Sequence, residues 1–406
     1  MYVFGENAPL QAIRDRNGNQ VIITRTGGQG GNITKITSPN GRWIQFTYDG
    51  SNRITQATDN TGRVVTYQYD GSGRLFRVTD PNGGITGYTY DSSHRMLTSK
   101  DARGIVFLTN EYDATSGRVT KQTQADSTVY QFTYTVDGSG NITQTDVTDP
   151  RGNIRRVSFG ASGYGSSDTY ALGKPEEQTT TSNFETGSNL LLSQTDALSR
   201  QTSYSYDSKG NTTSITRLTG TPDAVTTTYT YDPTYSQIAS ITDPLNHTTT
   251  FGRDSKGNLT SITTALNQTT TITNNTAGQP VSITDPLNNT IQFTYDFGDL
   301  VTMTDPLGNT TNRFTDPGGR VLAITNPLGN LSLYDYDVLN RLTTVTEPLS
   351  GVTAFSYDAN GNLLTLTDAR NNQTTYTYNN MDRTATRVDP LTHGESYTCV
   401  RRFPLS

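Results

Sequence analysis

Short runs of alternating aromatic and polar residues recur along the chain, each ended by a cluster of Asp, Gly, Asn and Pro. In Thr228-Tyr229-Thr230-Tyr231 the aromatics stand two apart, which puts both on one face of a strand and Thr on the other. The next element, Asp-x-x-Gly-Asn/Arg, is a turn: Gly supplies a positive φ and Asp accepts backbone N–H groups. A second short strand follows, as in Leu259-Thr260-Ser261-Ile262-Thr263. Leu259 and Ile262 are three apart, which a regular strand cannot place on one face, so a bulge or early turn is expected there. Asp285-Pro286-Leu287-Asn288 and Asp305-Pro306-Leu307-Gly308 then fit type I turns, with Asp first and Pro second. The unit is therefore two short strands and two tight turns.

The Asp after the second aromatic serves as a phase marker. From Asp49 to Val400 it recurs in steps that average about 22 residues, and the later steps are nearly all 21, with one of 20 ending at Asp316. The pairs Tyr48-Asp49, Tyr69-Asp70, Tyr90-Asp91, Tyr206-Asp207, Tyr231-Asp232, Tyr295-Asp296, Tyr336-Asp337 and Tyr357-Asp358 define the repeat, with Gly73, Arg74, Gly210 and Gly361 in the following turns. The phase is weakest between Gly160 and Glu185. The chain accordingly divides into a degenerate entry segment (1–27), repeats (28–163), an irregular repeat or insertion (164–192), repeats (193–397) and a decaying tail (398–406). A lone hairpin is marginal in water, so neighbouring hairpins must pair edge to edge and share their aromatic faces. The fold class is all-β: tandem antiparallel hairpins of about 21 residues in one long curled sheet.

Composition agrees with a thin sheet rather than a thick core. Hydrophobic residues make up 31% of the 406, against about 45–50% in ordinary globules, yet Tyr alone occurs 23 times. Disordered chains are poor in aromatics. The net charge of −6 and the lack of a basic stripe exclude nucleic acid as an expected partner; the adjacent Arg155 and Arg156 read as a solvated pair. No apolar run is long enough for a membrane-spanning helix, and Met1-Tyr2-Val3-Phe4 does not open a signal peptide.

The candidate chemistry is sparse. A catalytic carboxylate needs a singular environment, whereas an Asp recurring every 21 residues has a repeated task, which is turn capping. The same turns lack the acidic spacing of calcium loops. His94, His247 and His393 lie far apart, each in or beside a turn, with His94 in the place of the turn Gly. Cys399 reads as a drifted Tyr, Trp43 as packed beside Phe46 and Tyr48, and Gly27-Gly28-Gln29-Gly30-Gly31 as a flexible turn without the Lys-Ser/Thr of a phosphate loop. No catalytic residue, cofactor or metal ligand is expected. Only Tyr164–Leu192 is irregular enough to hold an unrepeated site, with Asp168, Glu176 and Glu177 as its acidic residues.

From about Gly18 to Tyr397 these phased Tyr-Asp-x-x-Gly-Arg/Asn units resemble the RHS/YD-repeat family, which includes bacterial RHS polymorphic toxins, components of insecticidal toxin complexes, wall-associated proteins and teneurins. The resemblance implies hairpins that spiral into a hollow shell, which in the toxins encloses a C-terminal toxic domain; other members bind carbohydrate or cell surfaces. It implies a non-catalytic wall segment, a secreted or cell-surface location, and further RHS repeats or a core of a larger polypeptide as partners. The alternative it implies is a carbohydrate- or cell-surface-binding module. The motif of the RHS core and a toxin domain are not seen, so the chain reads as a fragment of such a protein.

Overall fold

The computed structural model describes residues 1–4, 9–27 and 30–397. Among them are 37 strands, from β1 (Tyr2–Phe4) to β37 (Gly394–Ser396), and no helix. Each strand pairs antiparallel with its neighbours in sequence, giving one long unclosed meander. The expected tail, including Cys399 and Val400, and part of the Gly27–Gly31 turn lie outside the described residues.

One unit shows how the sequence specifies the hairpins. In β7 (Val64–Tyr69) Tyr67 and Tyr69 are half-buried and Gln68 between them is exposed, as the two-residue alternation requires. Tyr69 pairs with Leu75 of β8 (Leu75–Thr79), but Gln68 pairs with Arg77, so Phe76 is an extra residue. The same slip occurs at Tyr48/Ile54, Arg253/Leu259 and Tyr357/Leu363. This is the bulge expected from the Leu259–Ile262 spacing. The next hairpin, β8 with β9 (Ile85–Tyr90), runs without a slip.

Most hairpins of both kinds close on one turn type. Asp70 N–H donates to Arg74 C=O (2.8 Å) and Gly73 N–H to Asp70 C=O (2.9 Å); Asp80, Gly83 and Gly84 repeat the pattern. This is a three-residue loop made of a type I turn and a left-handed residue. Gly73 has φ +79°, and Asn52 (+60°), His94 (+64°) and Asn288 (+66°) hold the same place at other turns.

The core is a thin layer. Among the described residues no side chain is fully buried, and of the hydrophobic ones only Ala12 and Ala323 are buried. The accessible surface is 24112 Å², whereas a compact monomer of 44.3 kDa exposes about 15,500 Å². The excess follows from a sheet wet on both faces.

Bulges bend a sheet and add to its twist, and here the strip coils onto itself. Asn17 meets Asn258 241 residues on, Arg42 meets Asp299 257 on, and Asp101 meets Asn360 259 on. At about 22 residues per two strands, one turn of the coil takes about 24 strands. With strands about 4.8 Å apart, the ring has a circumference near 115 Å and a diameter of about 37 Å. The 37 strands thus make roughly one and a half turns.

Candidate functional site

The residues that recur are those that join one unit to the next. Tyr69 Oη donates to Ile54 C=O (2.8 Å) and Tyr90 Oη to Leu75 C=O (2.6 Å), each crossing back to the preceding hairpin at its bulge. Tyr48, Tyr206, Tyr295, Tyr336 and Tyr357 make the same bond to the carbonyl 15 residues upstream, at 2.7–3.1 Å. Tyr231 reaches 19 residues back to Thr212 because its unit is longer. Where other residues replace this Tyr, Arg253 and Asn274 donate to Ile238 and Leu259 at the same spacing, whereas Val136, Phe159 and Phe184 have no side-chain donor to offer. At these two positions a guanidinium and an amide take the place of the phenol as donor to the bulge carbonyl.

Asp and Arg complete the joint. Asp70 Oδ1 accepts the N–H groups of Ser72 and Arg74 at 2.9 Å, and Oδ2 accepts Arg74 Nε at 2.8 Å. The Arg74 guanidinium lies 5.0 Å from the Tyr90 ring centre and donates to Asp91 C=O (2.7 Å). Arg341 repeats this toward Tyr357 and Asp358. Asp49, Asp91, Asp207, Asp337 and Asp358 cap their turns in the same way, with Gly210 (+82°) and Gly361 (+91°) at the left-handed positions. Backbone N–H donation from Arg74, opposed by desolvation and reinforced by the Arg74 side chain, holds Asp70 below the usual carboxylate range. At Asp59 burial acts upward, but side-chain bonds from Arg63 and Thr61 and their N–H groups outweigh it and bring the pKa to about 2. Burial raises the Tyr69 and Tyr90 phenols.

Two sequence-identified aspartates differ. Asp232 caps a longer turn through Thr234 and Tyr235 N–H. Asp296 is not a turn cap: it ends β27 (Thr290–Asp296) and pairs with Asp299 across a two-residue turn, Phe297 (φ +46°) and Gly298 (+85°). The two-residue turn accounts for the single 20-residue step.

The seam between successive turns of the coil was not readable from the repeat. Arg42 binds Asp299 through both carboxylate oxygens, with Nη1–Oδ1 at 3.1 Å, and donates to Pro317 C=O (3.0 Å). Arg103 lies 2.8 Å from Asp382, 3.5 Å from Asp101 and 3.8 Å from Asp358, contacts of charge rather than of aligned hydrogen bonds. Asn360 Nδ2 donates to Asp101 (2.6 Å). The turn that follows each upstream Asp-Pro-type strand pair thus rests on Tyr-Asp-type turns of the next coil.

The RHS Repeat family model matches the chain in eight segments: 29–64, 48–84, 69–106, 187–222, 236–269, 275–310, 316–352 and 357–393. The chain belongs to the RHS repeat family. Among solved structures, a TcdB2-TccC3 crystal structure lacking the hypervariable C-terminal region aligns with this RHS chain at a TM-score of 0.66 and 16% identity, covering 90% of it. The Tc holotoxin pore of Photorhabdus luminescens, carrying a TccC3 mutation, gives 0.65 and 16% over 90%. The RHS chain spans about a quarter (24%) of those chains. At that identity the likeness is one of fold. No curated protein matches the sequence.

The other candidates fall into place in the RHS wall. His247 and His393 take the position of Arg74 in their turns, with Nδ1 3.0 and 3.1 Å from Asp243 and Asp389. Arg155 and Arg156 are not a solvated pair: they point to neighbouring strands and bind Asp168 and Asp146 in two-pronged fashion. In the irregular stretch Asp168 is therefore ion-paired, Glu177 accepts the Gly173 N–H, and Glu176 is exposed; they do not converge. Trp43 is half-buried with Lys35 Nζ 4.6 Å from its ring centre.

Proposed function

We propose that this chain is a non-catalytic wall segment of a secreted or cell-surface RHS shell, and that in its larger polypeptide the shell encloses or presents a further domain. The observation that carries this reading is the use of the recurrent side chains. The second Tyr of a pair and, where present, the Arg bond the neighbouring unit, Asp and Gly hold the turn that positions them, and the coil they build surrounds a space. The repeat-defining residues Tyr69, Asp70, Gly73 and Arg74 and their equivalents thus act as wall cement. Further RHS repeats or a core region of the same polypeptide are its expected partners. The similarity to toxin-complex structures agrees with an enclosing role.

Limited proteolysis of the natural full-length product tests this. An enclosed domain resists digestion while the wall is intact and becomes sensitive when the seam is broken by Arg42→Gln and Arg103→Gln together. Equal digestion with and without those substitutions overturns the reading.

A second reading, binding of a carbohydrate or another cell-surface ligand, is favoured by a shallow depression over Gly87. Arg77 and Lys100 flank it on adjacent strands, and exposed Phe76 and Val106 line it. The second tyrosine of each pair, such as Tyr69 or Tyr90, is half-buried with its hydroxyl engaged, which leaves it a poor sugar platform. A glycan array gives signal that Arg77→Ala lowers if this reading holds; an array without binders removes it.

A further inference from the structure

We propose that the depression over Gly87 is an oxyanion site, in which Arg77 and Lys100 hold the carboxylate of a small ligand whose ring rests on the bordering apolar side chains Phe76 and Val106. The inference rests on the surface-ligand reading above for its place, and adds the charge and shape of the ligand.

Gly87 is the gap. It stands on β9 with Thr89, on the face opposite Tyr88 and Tyr90. It pairs with Arg77 of β8 on one side and with Lys100 of β10 (Met96–Lys100) on the other. At the same register on other aromatic strands stand Gln45, Thr66, Ser203, Thr228 and Thr250, each with a side chain over the sheet. Neither backbone nor packing calls for glycine. The φ of Gly87 is not in the left-handed region, and a Cβ added there would meet nothing closer than Lys100 Cε at 3.6 Å. The missing side chain leaves an opening that the fold does not need.

Two cations border this opening. The Lys100 stem lies along it, with Cβ and Cε 3.8 and 3.6 Å from where a Gly87 Cβ would stand, and Arg77 lines its other side. Among the described residues neither cation forms an ion pair or a side-chain hydrogen bond, and no Asp or Glu lines the depression. Other strand cations differ: Arg155, Arg156 and Lys121 each bind a carboxylate on a neighbouring strand. Like charges on strands about 10 Å apart repel, and an anion placed between them turns that repulsion into two attractions.

The lining sets the chemistry of the ligand. The backbone of β9 is spent on the ladders to β8 and β10, so no nest of free N–H groups is offered to a phosphate. A guanidinium takes a carboxylate through two parallel bonds, and an ammonium adds a point charge. Phe76, the extra residue of its bulge, and Val106 are exposed beside the cations, which suits an apolar body rather than a bare inorganic ion. Thr89 and Thr98 bond to each other at 2.6 Å, which uses one hydroxyl proton and leaves the other for the ligand. The site does not depend on where the coil ends. It lies on the sheet face, and the nearest turn, 101–104, is already covered by Asn360 of the next coil.

Ligand-observed NMR titration of the 406-residue chain with phenylacetate, its uncharged amide, glucuronate and sulfate tests this. Phenylacetate is expected to bind saturably at one site, and the amide at least about tenfold more weakly. Arg77→Gln with Lys100→Gln must weaken phenylacetate binding by at least about tenfold at an unchanged urea midpoint. Gly87→Gln, which fills the opening, must weaken it as much without loss of stability. Glucuronate separates the two sources of such a carboxylate. If it binds as well as phenylacetate, the ligand is an acidic sugar and the carbohydrate reading stands with the site. If only phenylacetate binds, the site stands and the carbohydrate reading loses this depression. No saturable binding of either carboxylate, equal binding of the amide or of sulfate, or binding indifferent to the three substitutions overturns the proposal.

Discussion

Removing one hydroxyl at Tyr90 isolates the joint between units. Tyr90→Phe keeps the ring, the Arg74 contact and the strand register, and deletes only the 2.6 Å bond to Leu75 C=O. A neutral hydrogen bond contributes about 1 kcal/mol, and a carbonyl left without a donor costs about 1–3 kcal/mol. Tyr90 is half-buried, so water recovers part of the loss and about 1–1.5 kcal/mol is expected. Tyr88, two residues earlier on the same face, supplies the control: its hydroxyl makes no hydrogen bond among the described residues, and Tyr88→Phe stays within about 0.5 kcal/mol of the parent. In a quasi-one-dimensional array the effect is concentrated at the joint. Urea unfolding gives the global change, and amide exchange across 75–90 should show opening about tenfold more frequent in Tyr90→Phe. Equal effects for the two substitutions, in either assay, would refute the claim that the second tyrosine ties each unit to the one before.

Three further outcomes are expected. Gly73→Ala, at φ +79°, destabilises by about 1 kcal/mol in urea unfolding because an L side chain is strained there, and an unchanged midpoint would contradict the turn assignment. Acid should unfold the chain: Asp59 has a folded pKa of about 2 against an ordinary 3.8, and Asp49, Asp70 and Asp91 are lowered as well, so stability is full above about pH 5 and falls toward pH 2 as carboxylates protonate; circular dichroism showing equal stability at pH 6 and pH 2 would contradict this. Arg103→Gln leaves Asp101 and Asp358, both little exposed, without their cation and should cost roughly 3 kcal/mol, whereas a change below about 0.5 kcal/mol would show that the seam does not stabilise the coil.

What the sequence disclosed was local and periodic. The aromatic pairs, the Asp-x-x-Gly turns and the bulge at Leu259 each follow from spacing within one unit, and the structure shows all three. The seam was hidden because Arg42 and Asp299 are 257 residues apart and neither belongs to the repeat motif. Tyr295-Asp296 looked like any other Tyr-Asp pair; only the 20-residue step distinguished it, and that step is the signature of the shorter Phe297-Gly298 turn. Arg155 and Arg156 were misread because pairing with Asp168 and Asp146 depends on strand register, which adjacency in sequence does not show.

The central claim is that the hairpins pair laterally into a wall that coils around a space. Cryo-electron microscopy of the chain views this most directly. The account predicts averages down the coil axis with a ring of density about 37 Å across its backbone around an empty centre, and side views with about one and a half stacked turns. A solid particle of the same mass, or separate compact lobes, would contradict it.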